Sequence, residues 1–394
     1  MELQTDEGSF SKFVVMVLLL MGALGVMGGG LVAPGLPTIG AAFDVPEEQV
    51  GLILSIYTLA AAISLPLTGY FIDSIGRRKV GLACLLIDGS AGLAIVFAPD
   101  FSTLLVLRFI QGIGIAGLMP VAMTVIGDLF SGDRRLKVMG YLSGTISLGA
   151  AVIPLVGGFL AAIDWKLVFM VYGFSLLLAV FLYFVIPETG SESRGTEFDS
   201  PLGYASSLFS ALKIKDIRNV MIHSLALYFL LYALVTYLPI FLVRTHGFDE
   251  IFNGIVLSGQ AVFSALFASR ATFLANHFNW RKRAFLGFGM ISLSFFLLPF
   301  WPIGSYSISF SFIFFGVGMG IVSPTIYNRV THLSPPDLTG SVISIFNTMK
   351  YVGMTSAPLL IGLSLIFTDL KIIFLGVGAI SASWALFTLV PDLR

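Results

Sequence analysis

The sequence predicts an all-α integral membrane protein, with twelve transmembrane helices arranged as two six-helix bundles that are parallel repeats of one another. Three observations carry that prediction. The chain of 394 residues is 57% hydrophobic and only 11% charged, whereas an ordinary soluble domain carries about 25% charged residues. Apolar stretches long enough to cross a hydrocarbon core of about 30 Å recur from one end to the other. The second half also repeats the first at a nearly constant offset. The apolar runs are continuous, without the two-residue alternation of barrel strands, so they are read as helices.

The first span, 13–33, follows Lys12 and exceeds the 7–15-residue apolar core of a secretory signal, so it is expected to stay uncleaved. Spans at 49–70 and 80–98 flank a short basic loop, and 103–126, 138–161 and 167–186 complete the first bundle. Pro187 to Arg218 is the one long polar stretch, containing Glu188, Glu192, Arg194, Glu197 and Asp199, and reads as a linker. The second bundle follows as 219–243, 251–270, 284–301, 306–328, 341–366 and 372–390. The expected organisation is therefore 1–186, 187–218 and 219–394.

Charge sets the expected orientation. Outside the spans, only Lys166, Arg244 and Lys371 lie on one side of the alternation, while the other basic residues lie on the opposite side. That asymmetry predicts a cell-membrane protein with both termini cytoplasmic. Zero formal net charge gives no bulk field for nucleic acid, and a single cysteine, Cys84, excludes an internal disulfide and any cysteine cluster.

A shift of 204 positions lays Arg77-Arg78-Lys79 on Arg281-Lys282-Arg283, Gly112, Gly114 and Pro120 on Gly316, Gly318 and Pro324, and Gly149, Pro154 and Gly158 on Gly353, Pro358 and Gly362. A repeat unit of six helices returns to its starting side, so the two units are related by an axis along the membrane normal. Such a plan suits a site at the repeat interface, opened to each side in turn.

The loop Gly69-Tyr-Phe-Ile-Asp73-Ser-Ile-Gly76-Arg77-Arg78-Lys79 resembles the signature of the major facilitator superfamily, G-x-x-x-D-x-x-G-R-R/K. The repeat, the span count and the linker extend the resemblance over the whole chain. It implies the major facilitator fold and a cytoplasmic latch of the outward-open state built from Asp73, Gly76, Arg77 and Arg78, with Asp128 as acidic partner. The second-half loop lacks the acid, since His277 and Trp280 stand where Asp73 and Gly76 stand in the first. The fifth span, with Gly140, Gly149, Pro154, Gly157 and Gly158, resembles the antiporter motif of the drug:proton exchangers, G-x8-G-x3-G-P-x2-G-G. One position departs, because Ile153 stands in place of a glycine.

Charges within spans are costly and normally face a partner or a cavity. Asp88 in the third span is the only acid deep in any span and the expected proton carrier, with a static salt bridge to Arg108 left open as the alternative. Arg108 sits in Leu104-x-x-x-Arg108-Phe-Ile-Gln111-Gly112, where the resemblance implies a role in proton transfer. The neighbouring Gly112-x-Gly114-x-x-Gly117 matches the dinucleotide fingerprint only formally, because no strand precedes it. Lys350 in the eleventh span, on one face with Asn347 and Met354, could hold an anionic cargo or answer the proton state of Asp88, with a purely structural ion pair left open as the alternative. The expected cavity wall adds Gln111, Gln260 and Asn328, together with Tyr228, Tyr232 and Thr236 at four-residue spacing.

These readings converge on a secondary transporter, expected to be a monomer exporting small amphipathic or drug-like molecules against protons. No cofactor or metal is expected, and no Walker loop or catalytic constellation suggests an enzyme. Import or facilitated diffusion of an organic anion or metabolite stays open, as does a non-transporting receptor or scaffold.

Overall fold

A computed structural model describes residues 9–189, 210, 212–333 and 339–390. Most of the expected linker, 190–209 and 211, lies outside the described residues. Twelve long helices appear in chain order: α1 (Ser9–Gly30), α2 (Leu52–Ile75), α3 (Arg77–Ala94), α4 (Phe101–Leu129), α5 (Gly132–Ile163), α6 (Gly173–Val185), α7 (Lys215–His246), α8 (Glu250–Ala268), α9 (Trp280–Leu297), α10 (Ser309–Leu333), α11 (Thr339–Leu365) and α12 (Leu370–Leu389). Short helices extend several ends: Leu36–Ala42, Glu47–Val50 and Trp165–Met170 cap one end of the molecule, and Ala271–His277 lies at the other.

Eleven stretches of described helix are long and apolar enough to cross a bilayer. The remaining long helix, α11, has 27 residues, about 40 Å at 1.5 Å per residue, which exceeds a core of about 30 Å. The starts follow local capping chemistry. Asp100, Asp249, Asn279 and Asp369 each accept a backbone N–H of the first turn of the helix that follows, satisfying a group the helix itself leaves unpaired. α7 ends at Gly247, whose left-handed φ of 69° suits the glycine that closes it.

Packing repeats with the sequence. In the first half α1 packs on α4 and α5, α2 and α3 pack on α4, and α3 packs on α6. The second half has the same pairs six helices later: α7 with α10 and α11, α8 and α9 with α10, and α9 with α12. Glycines set these approaches. A Cβ on Gly112 would strike the Tyr57 carbonyl on α2, and one on Gly114 would lie 2.6 Å from the Asp88 nitrogen on α3. Their repeat partners do the same: Gly316 faces the Gln260 carbonyl on α8, and Gly318 would lie 2.7 Å from Ile291 on α9.

The largest contacts between the halves are two symmetry-related ones, α5 with α8 and α2 with α11. Both are tight at the end away from Arg77, here called the far end. The end carrying Arg77 to Lys79 is called the basic end.

Candidate functional site

Between the halves lies a cavity of about 600 Å³, within the 300–1,000 Å³ usual for small-molecule sites. Gly69, Tyr70 and Asp73 on α2, Thr124 on α4 and Ser344 on α11 line it toward the basic end. At the far end it is sealed. The Thr38 hydroxyl donates to the Glu250 carboxylate, Asn253 Nδ2 donates to the Pro34 carbonyl at 3.1 Å, and Arg244 pairs with Glu47 at 2.6 Å. Deeper, Ser55 Oγ donates to the Thr355 carbonyl at 3.2 Å and the Thr355 hydroxyl donates to Thr58 Oγ1 at 2.9 Å. The cavity is therefore open at the basic end and closed at the far end.

The wall is asymmetric. The first half supplies mainly small and apolar groups, such as Gly25, Val26, Ile115, Met119 and Ile146. The second half supplies Tyr232, Gln260, Asn347, Lys350 and Tyr351. Lys350 is the only basic residue in the described lining and Asp73 the only acidic one. Tyr232 crosses to the first half, where a Cβ on Gly29 would lie 2.6 Å from its hydroxyl.

Asp88 and Arg108 are brought close together but not into contact. Both are fully buried, and so is Gln111. Gln111 bridges them: Arg108 Nη1 donates to Gln111 Oε1 at 2.9 Å, and Gln111 Nε2 donates to Asp88 Oδ1 at 3.2 Å. Ser175 Oγ on α6 donates to Asp88 Oδ2 at 2.6 Å. Arg108 also donates through Nε to the Ile53 carbonyl at 3.1 Å and through Nη2 to the Gly28 carbonyl at 2.9 Å, and it lies 4.4 Å from the Tyr57 ring centroid. This corrects the direct salt bridge held open from the sequence. A glutamine one turn from the arginine intervenes, and backbone carbonyls, which no side-chain pattern reveals, take the rest of the guanidinium. It also corrects Gln111 as a wall residue, because both ends of its amide are occupied inside the first half. Tyr57, which does line the cavity, stands between this buried chain and the lumen.

At the basic end, Arg77 reaches Asp73 at 3.2 Å and Asp128 at 3.1 Å and donates to the Ile72 carbonyl. Arg78 contributes its backbone rather than its charge. Its N–H and that of Lys79 donate to the Glu188 carboxylate at 3.0 and 3.3 Å, while its guanidinium lies over Tyr183. Glu188 thereby caps α3. Gly76 makes room for it with a φ of 112°, and a Cβ there would lie 2.5 Å from Glu188 Oε1. Thr189 adds a hydrogen bond to Asp128 at 2.9 Å. Sequence reasoning left Glu188 in the linker. Among the described residues the cluster belongs to one half, and it is assembled while the cavity is open at this end.

The fifth-span glycines divide. A Cβ on Gly157 would strike the Leu31 backbone and one on Gly158 the Glu250 carbonyl across the halves, while Pro154 meets Gly254 of α8. Gly140 has nothing within 4 Å of a built Cβ, and Gly149 meets only Ile153 of its own helix at 3.3 Å. Close helix approach therefore accounts for Gly157 and Gly158 but not for Gly140.

Three further expected wall residues lie elsewhere. Asn328 is exposed near the basic end of α10 and lies outside the lining. Thr236 is fully buried outside the lining, since α7 packs on α10 as well as α11. Tyr228 is not part of the wall but backs it, with the Lys350 ammonium 4.9 Å from its ring centroid. Four-residue spacing finds a helix face but not which neighbour covers it. Tyr57, Tyr351 and Ser175 were missed, because single tyrosines and serines in spans carry no pattern. Among the described residues no group of three His, Cys, Asp or Glu is placed to hold a metal ion.

Residues 18–358 match the family model described as the Major Facilitator Superfamily. The bacillibactin exporter of Bacillus subtilis is 29% identical over 350 residues, covering 84% of this chain and 85% of that one. The multidrug resistance protein MdtL of Vibrio parahaemolyticus is 26% identical, with 63% of this chain and 62% of that protein covered, less than two thirds of its length. Among solved structures, a bacterial homologue of the human lysosomal transporter Spinster superposes with a TM-score of 0.74 at 18% identity, covering 98% of this chain and 95% of that one. The xylose transporter XylE of E. coli does so with the same TM-score at 14% identity, covering 97% and 96%.

Proposed function

The chain belongs to the major facilitator superfamily of transporters, and we propose that it exports small amphipathic molecules by exchange with protons, through alternating access of the cavity between its halves. The basic end is the cytoplasmic face in this reading, by the excess of lysine and arginine in its short loops. The domains are the two bundles, 1–186 and 219–394, and the cell membrane is their location. Similarity to the bacillibactin exporter and to MdtL supports export.

The observation that carries proton coupling is the setting of Asp88. It is a dry carboxyl held by two neutral donors, Gln111 and Ser175, with no cation within ion-pair distance among the described residues. Both oxygens can stay hydrogen-bonded whether the group is charged or neutral, because a serine hydroxyl can turn to accept. A change of charge at Asp88 acts on Arg108 through Gln111, and Arg108 in turn holds carbonyls of α1 and α2 and the ring of cavity-lining Tyr57. Arg108 is thus the link between the proton site and the wall. Each proton entering with the potential contributes about 2.3 kcal/mol per 100 mV, so export needs no nucleotide.

The test uses purified protein in liposomes that enclose a pH-sensitive dye under an imposed proton gradient. A panel of lipophilic cations, organic anions and sugars is added to wild type and Asp88→Asn. A compound class that triggers proton movement in wild type alone supports the reading. Cargo that crosses while internal pH stays flat ends it.

A further inference from the structure

Lys350 stands about 16 Å along α11 from its basic end at 1.5 Å per residue, in the wall of the cavity. Its ammonium lies 4.9 Å from the Tyr228 ring centroid and 5.9 Å from that of Phe346. Ring faces soften the burial of a cation but leave its charge uncompensated. No carboxylate of the described residues lies within ion-pair distance of Lys350. The one acid in the described lining, Asp73, sits at the cavity mouth and is engaged by Arg77.

Apart from Lys350, the polar groups that the second half brings to the cavity wall are all neutral and carry donors: Tyr232, Gln260, Ser344, Asn347 and Tyr351. Phenols and amides donate to an anion as readily as to a neutral acceptor. The facing wall from the first half, with Val26, Ile115, Met119 and Ile146, offers an apolar bed. The repeat underlines the asymmetry, because the position equivalent to Lys350 is Ile146 and both line the same cavity. An isolated cation at membrane depth is costly unless something answers it, and a cavity open to one side lets a ligand do so.

We propose that Lys350 is the anchor for the anionic head of an amphipathic cargo, a carboxylate, phenolate or sulfonate, whose apolar body lies against α1, α4 and α5. This rests on the transport reading of the same cavity and gives the cargo its chemical class. Expulsion of a monoanion from a negative interior is favoured by the membrane potential itself. The cargo class therefore stands independently of the proton step.

The test is equilibrium dialysis of the full-length protein in detergent at neutral pH with two matched probes, 1-naphthoate and its neutral isostere 1-naphthamide. Wild type is expected to bind naphthoate about tenfold more tightly, the effect of one charge-assisted contact. Lys350→Met is expected to bind both probes alike, and Lys350→Arg to keep the preference. Both variants are first shown to elute as a single folded species. Equal affinity for the two probes in wild type, absence of naphthoate binding, or a preference that survives Lys350→Met overturns the proposal. The liposome assay of wild type separates the two readings. If wild type shows the naphthoate preference but moves no protons with any cargo, antiport falls and the anion site stands; if it moves protons but lacks the preference, the anion site alone falls.

Discussion

At the residue scale, the decisive fact is that Arg108 is fully buried and held almost entirely by neutral acceptors. Removing it should cost more than removing an exposed charge, because the Ile53 and Gly28 carbonyls and Gln111 Oε1 would each lose a donor. Each buried acceptor left unpaired costs about 1–3 kcal/mol. Arg108→Met should therefore lower the thermal unfolding midpoint of the purified protein well below that of Arg244→Ala. That second variant breaks an exposed pair and should change stability by about 1 kcal/mol or less. Comparable midpoints for the two would show that the arginine is not the hub described here. Gly76→Ala offers a second residue-level check. Backbone at φ 112° and ψ 151° costs an L-residue about 1–3 kcal/mol, and the new methyl would also displace the Glu188 cap. Its midpoint should drop further than that of Glu188→Gln, which keeps the acceptor oxygen.

At the scale of elements, glycines that look alike in the sequence do different work. Gly114 brings α4 onto the α3 backbone, where a Cβ would meet the Asp88 nitrogen and the Cys84 carbonyl at 2.6 and 2.7 Å. Backbone cannot swing aside as a long side chain can, so Gly114→Val should abolish recovery of folded protein on size-exclusion chromatography. Gly140→Ala, in a motif position with open space around it, should stay within about 0.5 kcal/mol of wild type. A strongly destabilised Gly140→Ala would mean that a neighbour packs there in the native molecule. Ile153 is compatible with the fold for a related reason: a Cβ on Gly30 would lie 3.6 Å from its Cγ2, so the small residue stands on the facing helix instead.

At the scale of the whole molecule, the two halves lock at the far end through pieces related by the repeat. Gly158 of α5 receives the Glu250 backbone, and Gly362 of α11 receives the Glu48 backbone. Both seals depend on an absent Cβ, so Gly158→Val and Gly362→Val should each hold the far end apart. Spin labels on exposed Ala42 and Ile303, placed in a Cys84→Ser background, would report this as a longer distance in either variant. Unchanged distances would show that the seal rests instead on Thr38, Asn253 and the Glu47–Arg244 pair. The charge cluster at the basic end ties α2, α3, α4 and the segment after α6 within one half. The first half is thereby held as one body while the cavity stands open.

The fold was legible because the bilayer is a demanding solvent. Only long apolar helices satisfy their backbone in it, so the runs of Phe, Leu, Val and Ile mark the spans directly. The offset that lays Gly114 on Gly318 likewise discloses the symmetry of packing before any contact is known. The costly residues Asp88, Arg108 and Lys350 were legible for the same reason, since charge at membrane depth stands out in composition alone, and Asp73 was legible from the loop signature. The partners of those charges were not. Gln111, Ser175 and the Gly28 and Ile53 carbonyls meet them across 3 to 87 positions of chain, and backbone acceptors carry no residue signature. Whether Asn328 or Tyr57 faces the cavity depends on which neighbouring helix covers each face, and only the packed bundle decides that. Sequence thus determined what must cross the membrane and which charges must be answered; tertiary structure decided what answers them, and left Lys350 to face the open cavity.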